Sequence, residues 1–223
     1  MNYNLGQTST TTAWARRLFL AALMLGSALV AVTSASAQEV TPPATPIATT
    51  PPTDQTAFAE GHARGTQGYV CLPTSTGASW TVNNPRPEAT LFTKVLGHDF
   101  EIITHFLSPD TDPKAPQPVP FGSATWQSSL DSSVVWAKAV GMDPAGSDGS
   151  CPNAGSIPCL LLQSIGSQKG PAGGKLLFQT TFIQRLNTNG GSAPETGCSS
   201  ANDVGKQVLV PYTADYYFYH QDQ

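Results

Sequence analysis

The chain has 223 residues, 39% of them hydrophobic and only 12% charged, with a net charge of −4, four cysteines and 19 prolines. That length suits one domain with a genuine core. The acidic balance, with no basic stripe interleaved with aromatics, argues against nucleic acid as a partner.

The N-terminus reads as an export signal over residues 1–37. Arg16 and Arg17 form the positive region, Leu18 to Val32 the apolar run, and Ala35 to Ala37 a small-residue cleavage site before Gln38. The apolar run is shorter than the roughly 20 residues that span a bilayer, so no stable membrane span is expected after cleavage. "RRLFL" fits the heart of a twin-arginine signal, with Ala15 and Ala21 departing from the usual residues. The apolar run equally satisfies the general secretory route, and both stay open. Either way the expected location is periplasmic or secreted, by bacterial export. Removing 1–37 takes away two arginines and no acids, leaving 9 basic against 15 acidic side chains, a net of −6.

Residues 38–56 are rich in Pro and Thr and poor in large apolar groups, which predicts a disordered linker. The domain is expected from 57 to 223. Within it, short β-branched and aromatic runs alternate with turn-rich gaps. Strands are predicted at "GYVCL", "SWTV", "ATLF", "FEIITHF", "ATWQ", "SVVWAKAV", "CLLLQSI", "KLLFQTTFIQRL", "QVLV" and "DYYFYH". "NNPRP", Ser108–Pro120, "DPAGSDGSCPNAG", "QKGPAGG" and "NTNGGSAPETG" read as loops. The fold class is therefore all-β, an antiparallel sandwich or barrel with long Pro/Gly-rich loops. In the strand from Lys175, the even positions Leu176, Phe178, Thr180, Phe182 and Leu186 form one face. Lys175, Gln179, Thr181 and Arg185 dominate the other, interrupted by Leu177 and Ile183.

All four cysteines follow the signal, and an even count in an exported chain reads as two disulfides with three connectivities. The short Pro/Gly-containing loop favours Cys151–Cys159, which leaves Cys71–Cys198. No C-x-x-C pair supports zinc, and no cofactor is implied.

Several blocks resemble one family: "GTQGYVC", "PEATLF", "GSIPCLLL", "FIQRLNTNGGSAPETGC" and "VPYTADYYFY", in that order. Together they are similar to the secreted bacterial and fungal domain of unknown function numbered thirty-four fifty-five. A further block pairs His105 with "GSATW" and Asp131. The resemblance implies that Cys71 and Cys198 are the family's regular cysteines, while Cys151 and Cys159 look local to this chain. It brings no activity; dehydrogenase labels on some fungal relatives find no support, since no G-x-G-x-x-G follows a strand.

For chemistry, neither G-x-S-x-G nor S-x-x-K is present. "GHDFEIITH" would put Asp99, Glu101 and His105 on one strand face, a candidate divalent-metal set. Glu88, Asp131 and Asp215 are candidate carboxylates for glycoside hydrolysis. Arg185 and Asp215 could pair across strands and fix register. The last strand would divide into a core face with Tyr212 and Tyr216 and a polar face with Asp215, Tyr217 and Tyr219. His105, Trp126, Arg185, Asp215, Tyr217 and Tyr219 are accordingly the candidate binding residues. The expectation is an exported binding module for carbohydrate or another envelope polymer, with a carboxylate hydrolase as the rival; whether the protein is an enzyme stays undecided.

Overall fold

A computed structural model describes residues 40–108 and 123–222. The expected signal segment and most of the Ser108–Pro120 loop lie outside the described residues. Eight antiparallel strands form one sheet: β1 (Gln55–Thr74), β2 (Gly77–Val95), β3 (His98–Ser108), β4 (Ser123–Ser128), β5 (Val134–Asp143), β6 (Cys159–Gln168), β7 (Phe182–Gly190) and β8 (Gln207–Gln221). Each strand pairs with its neighbour in sequence, and β1 pairs with β8, so the sheet closes into a barrel. Of the two architectures expected, the barrel is the one formed.

Three strands are longer than their sequence signals. β2 joins "SWTV" to "ATLF" through "NNPRP", and β8 joins "QVLV" to "DYYFYH" through Pro211. β1 starts at Gln55, thirteen residues before the first predicted strand. Period two in "AEGHARG" is weak because its inward positions carry almost no side chain.

That lack of bulk is what the interior requires. Ala59, Gly61, Ala63 and Gly65 of β1 pair with Phe218, Tyr216, Ala214 and Tyr212 of β8. The aromatics fill the barrel because the facing strand leaves room for them. A Cβ on Gly61 would come within 2.9 Å of Leu91 Cβ, and one on Gly65 within 2.1 Å of the Glu88 carbonyl oxygen. Leu91, Ile103, Trp126, Val135, Leu177 and Ile183 complete the same core.

The expected strand from Lys175 begins only at Phe182; residues 176–179 form turns. Its faces are also reversed. Leu177 and Ile183 are fully buried in the barrel core, whereas Leu176 is 40% exposed. The outward side of β7 misled the alternation because it too is covered, with Leu186 and Gln184 buried.

Two segments provide that cover. The chain from Val40, predicted as a disordered linker, packs on the outer wall: Thr49 is buried and its carbonyl accepts from Gln184 Nε2 at 2.6 Å. Composition disfavours a core for this segment but not its recruitment against one that already exists. The β5–β6 excursion covers the adjoining wall and carries the Cys151–Cys159 disulfide, packed with Leu186, Tyr217 and Tyr219. The Cys71–Cys198 disulfide ties the β7–β8 excursion to β1, reinforced by Cys71 N–H to Lys206 O at 2.8 Å. Both bridges are those favoured by cysteine spacing.

The inward face is mostly apolar and the outward face of the β1–β3 region carries Arg64, Lys94, Asp99 and Glu101. This is the reverse of a barrel whose outer band meets lipid. Among the described residues, no helix is long and apolar enough to cross a membrane.

Substituting Gly65→Ala should lower unfolding free energy by about 1–3 kcal/mol through overpacking against the β2 backbone. Gly149→Ala, where an added Cβ meets nothing within 4 Å, should change it by less than about 0.5 kcal/mol. Denaturant titration of the two variants checks the contrast.

Candidate functional site

The candidate residues separate into an interior group and an outer group. Inside, the His105 ring stacks on Trp126 with centroids 4.2 Å apart and planes 10° from parallel, and Tyr216 lies 5.8 Å from His105. His105 Nδ1 lies 2.9 Å from the Thr125 carbonyl oxygen, so Nδ1 carries the proton. Burial pushes the His105 pKa down to about 4, and the Arg185 charge acts in the same direction, against the Thr125 hydrogen bond. His105 is therefore a neutral packing residue at pH 7, without access for a substrate proton.

Arg185 also faces inward, opposite Tyr216, and one guanidinium nitrogen donates to the Pro158 carbonyl at 2.9 Å. Its Nε has no hydrogen-bond partner among the described residues. The expected Arg185–Asp215 pair does not form, because neighbouring register positions point to opposite sides of the wall. Asp215 faces outward with Tyr217 and Tyr219. The division of β8 into an inward Tyr212/Tyr216 face and an outward Asp215/Tyr217/Tyr219 face holds.

Tyr217 and Tyr219 offer no stacking platform. Each is 5% exposed beneath the outer cover. Burial pushes both phenols well above their ordinary range. Tyr219 donates to Gln184 Oε1, linking it to the covering segment.

Asp99, Glu101 and His105 do not converge. Glu101 pairs with Phe92 and Ile103 with Leu91, leaving Ile102 as an extra residue. This bulge reverses the alternation, putting Asp99 and Glu101 outside and His105 inside. Asp99 is held by Lys94 at 2.8 Å and Arg64 at 2.6 Å, and these hydrogen bonds lower its pKa. Glu101 accepts from Ser129 at 3.0 Å. The proposed glycosidic carboxylates also have other work. Burial pushes the Asp131 pKa up, but hydrogen bonds from Ser133 and the Leu176 backbone outweigh it and hold the carboxyl well below the usual range. These bonds tie the β4–β5 turn to the β6–β7 loop. Glu88 lies on β2 opposite Thr66, and Asp215 belongs to another group.

That group was missed in the sequence. Glu60 and His62, two apart on the outer face of β1, meet Asp215 across the closing pair of strands, and their ligand atoms lie within 4.8 Å of one another. His62 Nδ1 is 2.7 Å from Asp215 Oδ1, and Asn187 Nδ2 donates to Asp215 Oδ2 at 2.8 Å. Asn187 reaches it from a bulge in β7, where its φ is +50°, a conformation that asparagine tolerates. Tyr217 lies beside Glu60, whose carboxylate adds to the effect of burial in raising the phenol pKa. "EGH" at 60–62 was the available signal, but it counts only once β1 is known to extend that far.

Beside Glu60 and His62 opens a cleft of about 610 Å³, lined also by Val40, Thr41, Phe58, Thr93, Lys94, Ile102, Leu130 and Leu176. It lies at the barrel end where β1 begins and β2 finishes. A family described as "Protein of unknown function (DUF3455)" matches residues 52–220. The chain belongs to the DUF3455 family. No curated protein and no solved structure matches it. The match covers all eight strands save the last residue of β8, so the barrel and the Glu60–His62–Asp215 group fall within the family domain, while Val40 and Thr41 of the cleft precede it.

The buried neutral His105 gives a pH dependence. Its folded pKa lies below the unfolded value of about 6.5, so the unfolded chain binds the extra proton between the two. Its contribution is fully present above about pH 6.5 and lost as pH falls towards 4, on the order of 3 kcal/mol in all. Thermal melts from pH 7 to 4 should show this slope, and His105→Phe should flatten it.

Proposed function

We propose that this DUF3455 protein is an exported, non-catalytic binding module that takes its ligand at the Glu60/His62 end of the barrel. The observation that carries the reading is the set of exposed apolar residues at the barrel end that holds the cleft, of which Leu130 and Leu176 line it. Leu96 is 96% exposed at the tip of the β2–β3 hairpin, with Phe100 at 51%, Leu130 at 67% and Leu176 at 40%. All four belong to the same barrel end. Leu96 also has a φ of +51° before Gly97, in a two-residue turn where Asn-Gly is favoured. A leucine this exposed, in a left-handed conformation, buries almost no surface within the domain, and together with Phe100, Leu130 and Leu176 it gives this end an apolar character suited to a ligand.

These apolar residues and the polar wall imply an amphipathic ligand. A saccharide or similar hydroxylated head fits Glu60, His62, Thr93 and Lys94, and an attached apolar chain fits Leu96, Phe100, Leu130 and Leu176. This moves the carbohydrate site away from Tyr217 and Tyr219, which are covered. The catalytic alternative lacks support in the interior, where His105 is sealed against Trp126. Two disulfides, absent from most reduced compartments, support export to the periplasm or beyond.

Leu96→Asn should weaken binding of an alkyl glycoside about fivefold, as expected for loss of one apolar contact of about 1 kcal/mol. The same variant should leave stability unchanged or raise it by up to about 1 kcal/mol, since Asn suits the turn. Calorimetric titration below the critical micelle concentration, with the free sugar as control, tests both parts. Equal affinity in the variant, or no affinity in the native protein, would overturn the assignment.

A further inference from the structure

We infer that Glu60, His62 and Asp215 form a binding site for a first-row divalent transition ion of the zinc class. The donor set is one imidazole nitrogen and two carboxylate oxygens, drawn from adjacent strands whose register is fixed by barrel closure. Ligands about 2.0–2.2 Å from a tetrahedral ion stand roughly 3.3 Å apart. His62 Nδ1 and Asp215 Oδ1, at 2.7 Å, need to separate by only about half an ångström to reach that spacing. An imidazole donor favours zinc or its neighbours over calcium or magnesium, which take oxygen.

Charge supports the same assignment. Asp99 is neutralised by Arg64 and Lys94, and Asp203 by Lys206. Neither Glu60 nor Asp215 pairs with a lysine or arginine among the described residues; Asp215 pairs with His62, and the Glu60 carboxylate lies within 4.8 Å of that pair. The ion would take the place of the hydrogen on His62 Nδ1, and the neutral imidazole would then carry its single proton on Nε2.

The surroundings are those of an orienting shell. Asn187 occupies the far oxygen of Asp215, and the buried Tyr217 lies beside Glu60. Such outer contacts hold ligating oxygens in place. The cleft lies on the open side of Glu60 and His62, so a fourth position would face whatever the cleft holds. The inference shares residues with the proposed ligand site but rests on the three donors, and it is measured with metal alone.

Untagged protein with both disulfides intact would be titrated with Zn²⁺ by calorimetry and with Co²⁺ by visible absorption. The expected result is one equivalent bound, with Co²⁺ bands of low-symmetry N/O ligation. His62→Ala and Glu60→Gln should each lower affinity more than about tenfold, and Asn187→Ala by about tenfold through the orienting bond. Asp99→Asn should leave it unchanged. Circular dichroism establishes that each variant is folded; should one fail, the half-exposed His62→Ala decides. Absence of saturable binding by the native protein, or full affinity in folded His62→Ala, would overturn the site. Glycoside titration without metal is scored separately, so loss of either reading leaves the other measurable.

Discussion

Closure of the barrel by β1 and β8 is the constraint on which the rest of the structure depends. Their pairing runs from Gln55–Gln221 to Val70–Gln207 and removes both sheet edges. It also fixes how much space eight strands enclose. Phe218, Tyr216 and Tyr212 enter that space from β8, and β1 offers Ala59, Gly61 and Gly65 opposite them. Large residues on one closing strand and almost none on the other make the interior a packed core. Ligand chemistry is thereby directed to the outer wall and the barrel ends.

The interior is nevertheless not wholly apolar. His105 is admitted by giving up its charge, with one nitrogen satisfied by Thr125 and a face against Trp126. Arg185 keeps its charge and relies on the Pro158 carbonyl, while the Tyr212 and Tyr216 hydroxyls lie 3.2 Å apart nearby on β8. Burial and the neighbouring Tyr216 raise the Tyr212 pKa well above its ordinary value, despite the opposing Arg185 charge. These groups make the interior costly to assemble, and they specify one arrangement of β7 against β8.

Strand composition, cysteine spacing and the faces of β8 were legible because each depends on local pattern. The site was not, for reasons that are long-range or arise from a single inserted residue. Ile102 inverts the alternation of β3, so a trio read as one face becomes two carboxylates outside and one histidine inside. A second irregularity between Leu186 and Asn189 brings Asn187 to Asp215. No periodicity reveals a bulge in advance. "EGH" was silent for a different reason: glycines and alanines that suit a tightly filled barrel look like loop when read alone.

The outer wall has two environments, and Tyr217 stands at their boundary. Its ring lies under the cover formed with Val40, Ala145 and the Cys151–Cys159 disulfide, and Glu60 is its neighbour on the open side. Val40 also lines the cleft, next to Thr41. The Pro/Thr-rich segment is thus both the lid over the tyrosines and one wall of the cleft. Proline limits the conformational freedom such a segment loses on docking, so a chain too polar to build a core can still complete a site on one. Burying Tyr217 in this way fixes its ring beside Glu60, where an exposed tyrosine would be free to swing. The cover therefore contributes order to the open half of the wall, and the two halves act as one surface.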